Sequence, residues 1–349
     1  MSLSSALYNG ISGLNSNSQA MTVIGNNIAN INTTGFKASR LTFEDILNQH
    51  LSSGSTTMKS GRGVAVSGIS PMFTQGSLES TSNPTDLAID GQSFFIVNDG
   101  NNRYFSRAGN FIINQEGNLV NPAGLLVQGW QADRSGSINT SSTIGGISVS
   151  GVASAPFATS QITLGLNLDA ASENEDSHSS SLVIYDSKGK EITLNTTFTF
   201  SEDELDLGVN QIPARHWAWQ LGSSDGEVSA DSKGYFTFDK NGQLDELYDA
   251  DGKDLITTNP FFKITNLPNG AEVGEQGKIT WNIFDKNGKS KGNITSYASN
   301  SVTTSMQQNG YATGALQSLS VENNGVVTGL FTNGQIKKIS QVAVADFLS

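Results

Sequence analysis

The 349-residue chain contains no cysteine, which excludes disulfides, thiolate metal sites and cysteine nucleophiles. Histidine is scarce. His50, His178 and His216 stand far apart, and no His-x-x-x-His, Gly-x-Ser-x-Gly or phosphate-loop pattern occurs. Catalysis therefore lacks its usual parts, and the sequence reads as a non-enzyme that needs no cofactor and no metal. No run of about 20 apolar residues is available to span a membrane. Residues 1–36 lack Asp, Glu, Lys, Arg and His altogether. A cleaved secretory signal needs a basic start and a continuous apolar stretch of roughly 7–15 residues; here Asn, Ser and Gly interrupt every few positions.

That uncharged segment is patterned. Leu7, Leu14, Met21 and Ile28 recur every seven residues, and Leu3, Ile11, Ile24 and Ile31 lie three or four residues from one of them. The spacing predicts a helix with a near-heptad apolar seam. Its other face is Asn, Ser, Gln, Thr and Gly rather than the charged groups of a solvated helix. Gly10, Gly13 and Gly25 each cost about 1 kcal/mol relative to Ala, so a rod of about 45 Å is marginal alone and orders on packing. The eight apolar residues are the candidate assembly interface. The competing reading is an amphipathic helix laid on its own domain.

Composition points to a mainly β protein: 36% of residues are hydrophobic, and 37 glycines stand among plentiful Ser, Thr and Asn. The net charge of −12 is confined to one block. Residues 169–289 hold 22 acidic and 10 basic side chains, and the remainder holds 10 of each. Like-charged surfaces repel over about 8–10 Å at physiological salt, so this block is expected to face solvent rather than to mediate self-association. The same balance argues against nucleic acid as a partner.

Along the chain, the first helix should end near Gly35, where Thr33-Thr34-Gly35 offers turn chemistry. A short helix is expected over 39–51 on Leu41, Phe43, Ile46 and Leu47, followed by an extended Ser/Gly/Thr connector over 52–68. From Leu87 to Trp130, short apolar strands alternate with Gly-containing turns, and strand patterns return from Tyr311 to Phe347. Both segments are nearly neutral, which suggests one domain interrupted by the acidic block. The expected division is a helix at 1–36, a connector at 37–80, an inner β domain at 81–158 plus 296–349, and an outer acidic β domain of barrel or sandwich type at 159–295.

Inside the acidic block an aromatic-Asp-x-x-Gly unit occurs four times, beginning at Tyr185, Phe238, Tyr248 and Phe284. Each reads as a hairpin turn, with Asp accepting backbone hydrogen bonds and Gly supplying the positive φ. The rival is calcium at Asp249-x-Asp251-Gly252-x-Asp254, although an EF-hand places Gly at position 6 of its loop and here it stands at position 4. Glu202 and Glu204, in a run of acids, imitate a glycosidase carboxylate pair but read better as a solvated loop.

Residues 9–14 (Asn-Gly-Ile-Ser-Gly-Leu) and 24–37 (Ile-Gly-Asn-Asn-Ile-Ala-Asn-Ile-Asn-Thr-Thr-Gly-Phe-Lys) resemble the N-terminal signature of bacterial flagellar rod and hook axial proteins. Thr74-Gln-Gly-Ser-Leu78, residues 83–91, Phe94-Phe-Ile-Val97, residues 105–111, Gly117-Asn-Leu-Val120 and residues 124–130 resemble family motifs in the same order, as do Gly310-Tyr-Ala-Thr-Gly314 and residues 334–347. The large acidic insertion points to the hook branch rather than the smaller distal-rod proteins, the nearest alternative. A calcium-stabilised surface adhesin is the alternative of a different class, and a carbohydrate-active β protein is a further one.

The resemblance implies a motility protein of the flagellum, exported unfolded through the type III apparatus without a cleaved signal and placed outside the cell in the basal body and hook. It implies self-assembly into a helical homopolymer in contact with rod, hook-cap and hook–filament junction proteins. The product is a curved tube transmitting torque as a universal joint, with the helix in the tube core as in a coiled coil. Family members end in a second long helix; none is found before Ser349, so the sequence is expected to be a truncated form, monomeric and soluble alone, with a mobile N-terminus.

Overall fold

The computed structural model describes residues 3–46, 49–53, 56–60, 62–133, 135–206, 211–252 and 254–347. The chain forms two compact units: unit 1 holds 1–152, 317–330 and 336–349, and unit 2 holds 153–316 and 331–335. The strand Val302–Gln308 pairs along Gln161–Asn167 and so belongs to unit 2, not to the inner domain expected from 296 onward.

Unit 1 begins with α1 (Leu3–Ala29). The helix stops short of the expected limit near Gly35, because Asn30 to Phe36 fold into successive turns closed by Thr33 N–H on Asn30 O (3.0 Å) and Phe36 N–H on Thr33 O (3.1 Å). The short helix expected over 39–51 is instead β1 (Ser39–Asp45) and β2 (Gln49–Ser53), and the expected connector is β3 (Thr56–Ser60) and β4 (Val64–Pro71). β1 pairs antiparallel with β4, and β2 with β3. Leu41 and Phe43 fit helical and strand spacing alike. The alternating Val64, Val66 and the cross-strand partner Ile69 decide for the strand by giving them neighbours across a ladder.

The body of unit 1 is an antiparallel sheet. β5 (Phe94–Asn98) pairs with β6 (Arg103–Ser106) on one side and with Leu126–Gln131 and Val344–Ala345 on the other. Leu126–Gln131 leads on to Ile336–Val342 and then to the strand from Val326. Phe95, Val97, Phe111, Leu119, Val127, Ile147, Val327 and Val342 form its core, with Phe95 edge-on to Phe111 at 4.9 Å.

Unit 2 encloses a larger core between two sheets. One is an antiparallel meander of Ser177–Tyr185, Glu191–Ser201, His216–Ser223, Lys233–Phe238 and Leu244–Tyr248. The other is built around Gln161–Asn167. Strict alternation in Glu191–Ser201 sends Ile192, Leu194, Phe198 and Phe200 inward to meet Trp217, Trp219, Phe236 and Trp281. The sheets are also linked through side chains: His178 Nε2 lies 3.0 Å from Thr303 Oγ1, and Ser180 Oγ donates to Met306 Sδ at 3.3 Å.

The Asp-x-x-Gly units close turns by one device. Oδ1 of Asp186 accepts the N–H groups of Lys188 and Lys190, that of Asp239 accepts Asn241 and Gln243, and that of Asp285 accepts Asn287 and Lys289, all at 2.8–2.9 Å. Gly189, Gly242, Gly252 and Gly288 take φ values of 65–83°, which a side chain would resist. In unit 1, Asn114 and Asn121 make the same two bonds with a neutral amide.

The amide of Gln243 holds the Asp239 carboxyl below its usual value, and the amides of Lys289 and Asn287 do the same for Asp285. Burial pushes Asp186 up, but Asn269 and the amides of Lys190, Lys188 and Gly189 outweigh it and leave it lowered. Groups with depressed folded pKa stabilise fully above the unfolded value, 3.8, and lose that contribution as pH falls through the folded values. Thermal melts between about pH 6 and pH 2 should therefore show an acid limb that the Asp239→Asn, Asp285→Asn pair flattens, since Asn keeps the accepting oxygen without titrating. An unchanged limb in the double variant would place acid sensitivity elsewhere.

Candidate assembly surface

α1 has two faces with different fates. Asn9, Ser12, Gly13, Ser16, Ala20, Val23, Asn27 and Asn30 are buried or half-buried, and recur at helical spacing. Their hydrogen bonds tie the helix to the β1–β4 ribbon. Val64 N–H donates to Ser12 Oγ and Ser16 Oγ donates to Val64 O, both at 3.3 Å. Asn27 donates to Ser39 O at 2.8 Å and accepts Ser39 N–H at 3.0 Å, mimicking a strand partner. The helix therefore crosses the ribbon from β1 at its base to β4 at its far end. The helix is thus packed inside the chain through its polar face.

The apolar seam is left open. Leu7, Ile11, Leu14, Met21, Ile24 and Ile28 are 50–77% exposed, and Ile31, just past the helix, is 78% exposed. The side chain of Leu3 lies outside the described residues. At 3.6 residues per turn the seam stands roughly 120° around the helix from the docked face. The reading in which an amphipathic helix packs its apolar side on its own domain is thus inverted. The docked polar face had a sequence signal, Ser and Asn at i, i+3 and i+4, that apolar periodicity does not register.

The end of α1 is held at Gly35. Its φ is +74°, and a Cβ there would lie 2.6 Å from Ala108 N, so the turn after the helix sits directly on Arg107–Ala108. Lys37 Nζ donates to Thr74 O at 2.8 Å. The family-like stretches around Gly35 and Ala108 are thus packed on each other.

His216 is buried with Nδ1 3.1 Å from Pro213 O, and His178 stacks on Phe198. The side chain of His50 lies outside the described residues. Glu202 is paired on the surface with Arg215 at 3.2 Å, and Glu204 is exposed. Among the described residues no group of three His, Cys, Asp or Glu side chains is disposed to hold a metal ion, and Gly252 N–H and Asp249 O instead close a turn at the suspected calcium loop. Among the described residues no helix is long and apolar enough to cross a membrane.

Residues 7–37 match the flagella basal body rod protein family, residues 88–155 the D1 domain of the flagellar hook proteins FlgE/F/G, and residues 154–311 the D2 domain of flagellar basal body protein FlaE. The flagellar hook protein FlgE of Treponema pallidum is 32% identical over 98% of this chain and 81% of its own length. That of Borreliella burgdorferi is 31% identical over 99% and 81%. The crystal structure of Helicobacter pylori flagellar hook protein FlgE2 aligns with a TM-score of 0.46 at 10% identity, over 75% of this chain and 89% of that one. With identity above 30% sustained along nearly the whole sequence, the chain belongs to the flagellar hook protein FlgE family, the structural subunits of the bacterial flagellar hook.

Proposed function

We propose that the chain polymerises through the α1 seam into the curved tube of the hook, a universal joint that passes torque from rod to filament. The observation that carries this reading is the row of seven apolar side chains, each at least half exposed, along and just beyond a helix whose opposite side is already docked. In water such a row costs about 25 cal/mol per Å² of apolar surface left uncovered, and second copies of the same helix supply the matching surface. The acidic unit 2 faces outward, where its like charges do not oppose stacking. The subunit reaches the outside of the cell through the type III apparatus without a cleaved leader, and a chain with no disulfide to form suits export in an unfolded state. It meets the rod at one end of the tube and cap or junction proteins at the other.

The absence of native cysteine makes this directly measurable. A Leu14→Cys variant is expected to react with a maleimide in the free subunit and to be protected at least tenfold in isolated hooks, while Asn287→Cys, in an exposed turn of unit 2, reacts in both. Equal reactivity of Leu14→Cys in hooks and free subunits would remove α1 from the interface.

A further inference from the structure

Where the chain leaves α1, unit 1 carries an aromatic surface that its own fold leaves open. Phe73, Phe94, Phe347 and Phe105 form a continuous edge-to-face row, with centroid spacings of 5.9, 5.6 and 4.8 Å. Phe73, Phe105 and Phe347 remain 42–55% exposed. Contiguous exposed rings of this kind mark a docking surface. Cations flank them. The Arg107 guanidinium lies 4.9 Å above Phe94, with its Nε and Nη2 buried. Arg103 is exposed, shares a face of β6 with Phe105, and enters neither of the ion pairs among the described residues, Lys190–Asp225 and Arg215–Glu202. Among the described residues β6 pairs only with β5, which leaves its other edge without a strand partner there.

The complement lies on β1. Phe43 is 47% exposed, Asp45 is exposed on the same face two residues on, and Asp45 enters neither ion pair among the described residues. Among the described residues β1 pairs only with β4, α1 reaches β1 at its base through Ser39, and residues 43–45 at the other end are exposed. Arg103-x-Phe105 and Phe43-x-Asp45 are mirror patterns: laid antiparallel, they put ring on ring and carboxylate on guanidinium at once. Within one chain they do not meet. Gly35 fixes the base of the ribbon beside Arg107, and Asp45 stands about 20 Å up β1 from Ser39 at roughly 3.3 Å per residue.

We infer that copies of this chain make a second contact, in which the free edge of β1 in one copy lies antiparallel along β6 of the next, with Phe43 against Phe105 and Asp45 against Arg103. The occupant is another copy because the two surfaces complement each other in charge and shape and both lie in the half of the chain that carries no net charge. The contact joins two different patches, so it repeats from copy to copy instead of closing a dimer, as an open helical polymer requires. It rests on the polymer reading above.

The test uses hooks assembled in the bacterium from the full chain carrying Asp45→Cys and Arg103→Cys together. Directly opposed residues of an antiparallel pair have Cα atoms about 4.5–5.5 Å apart, within disulfide range. Mild oxidation should yield a ladder of three or more linked copies on a non-reducing gel, with each single variant at least tenfold lower. Hooks that form and stay monomeric on that gel overturn the contact but not the polymer. If the double-cysteine chain builds no hooks, charge reversal decides. Asp45→Arg should lower the number of hooks per cell at least tenfold, Arg103→Asp should do the same, and the two combined should restore them. Failure of that rescue overturns the contact. An unmodified chain found outside the hook would instead overturn the polymer reading itself.

Discussion

Leu14→Asp combined with Met21→Asp is expected to abolish hook assembly while leaving the melting temperature of the isolated chain unchanged. Both side chains are at least 70% exposed in the folded subunit and touch no core, so their replacement falls among surface changes worth about ±0.5 kcal/mol. In the proposed polymer the same positions lie in a dry seam. An unpaired buried carboxylate costs several kcal/mol after relaxation, or must take up a proton, and each 1.4 kcal/mol is a tenfold loss in association. Two such penalties recur in every subunit. Electron microscopy of cells carrying the variant, beside thermal melts of the purified chain, measures both sides. Normal hooks from a normally folded variant would refute assembly through α1.

Phe236→Ala should cost unit 2 about 3–5 kcal/mol, the range for an aromatic removed from a close-packed core. The ring is fully buried and lies 6.2 Å from Phe198, 6.1 Å from Trp219 and 5.9 Å from Trp281. It thus joins the meander to the strand Ile279–Trp281 of the second sheet, where the structure has little scope to collapse into a void. Trp217, Trp219 and Trp281 lie in the same core and report its opening by fluorescence. Urea unfolding should show a lower midpoint with an unchanged slope. A loss under about 1 kcal/mol would mean that the two sheets are not held by this ring.

The parts of this molecule that could be read from its residues are those whose physics is local and periodic. Alternation in Glu191–Ser201 announces a strand with one buried face, and Asp with Gly three residues later announces a turn, because a single side-chain oxygen and a single positive φ are enough to make it. The seam of α1 was visible for the same reason. The ribbon was not: Leu41 and Phe43 suit either periodicity, and only the register with Ile69 and Val66 resolves them. Nor was the docked side of α1, since hydrogen bonds from Ser16 and Asn27 to a strand backbone leave no apolar stripe. The row of rings draws Phe73, Phe94, Phe105 and Phe347 from three distant stretches, a proximity that belongs to the sheet and not to any window of sequence.

Apolar contacts carry no preferred direction, and a rod held by grease alone is free to roll about its axis. The Asn27 and Ser16 bonds remove that freedom before any neighbour arrives, because a hydrogen bond fails when its angle drifts. Under the assembly proposed above, a subunit joining the growing end presents Leu14 and Met21 at a fixed azimuth, and its ordering entropy is spent inside the monomer rather than at the docking step. Growth then becomes a matter of fitting an already indexed part, which favours one helical lattice over the many that an unconstrained apolar rod would tolerate.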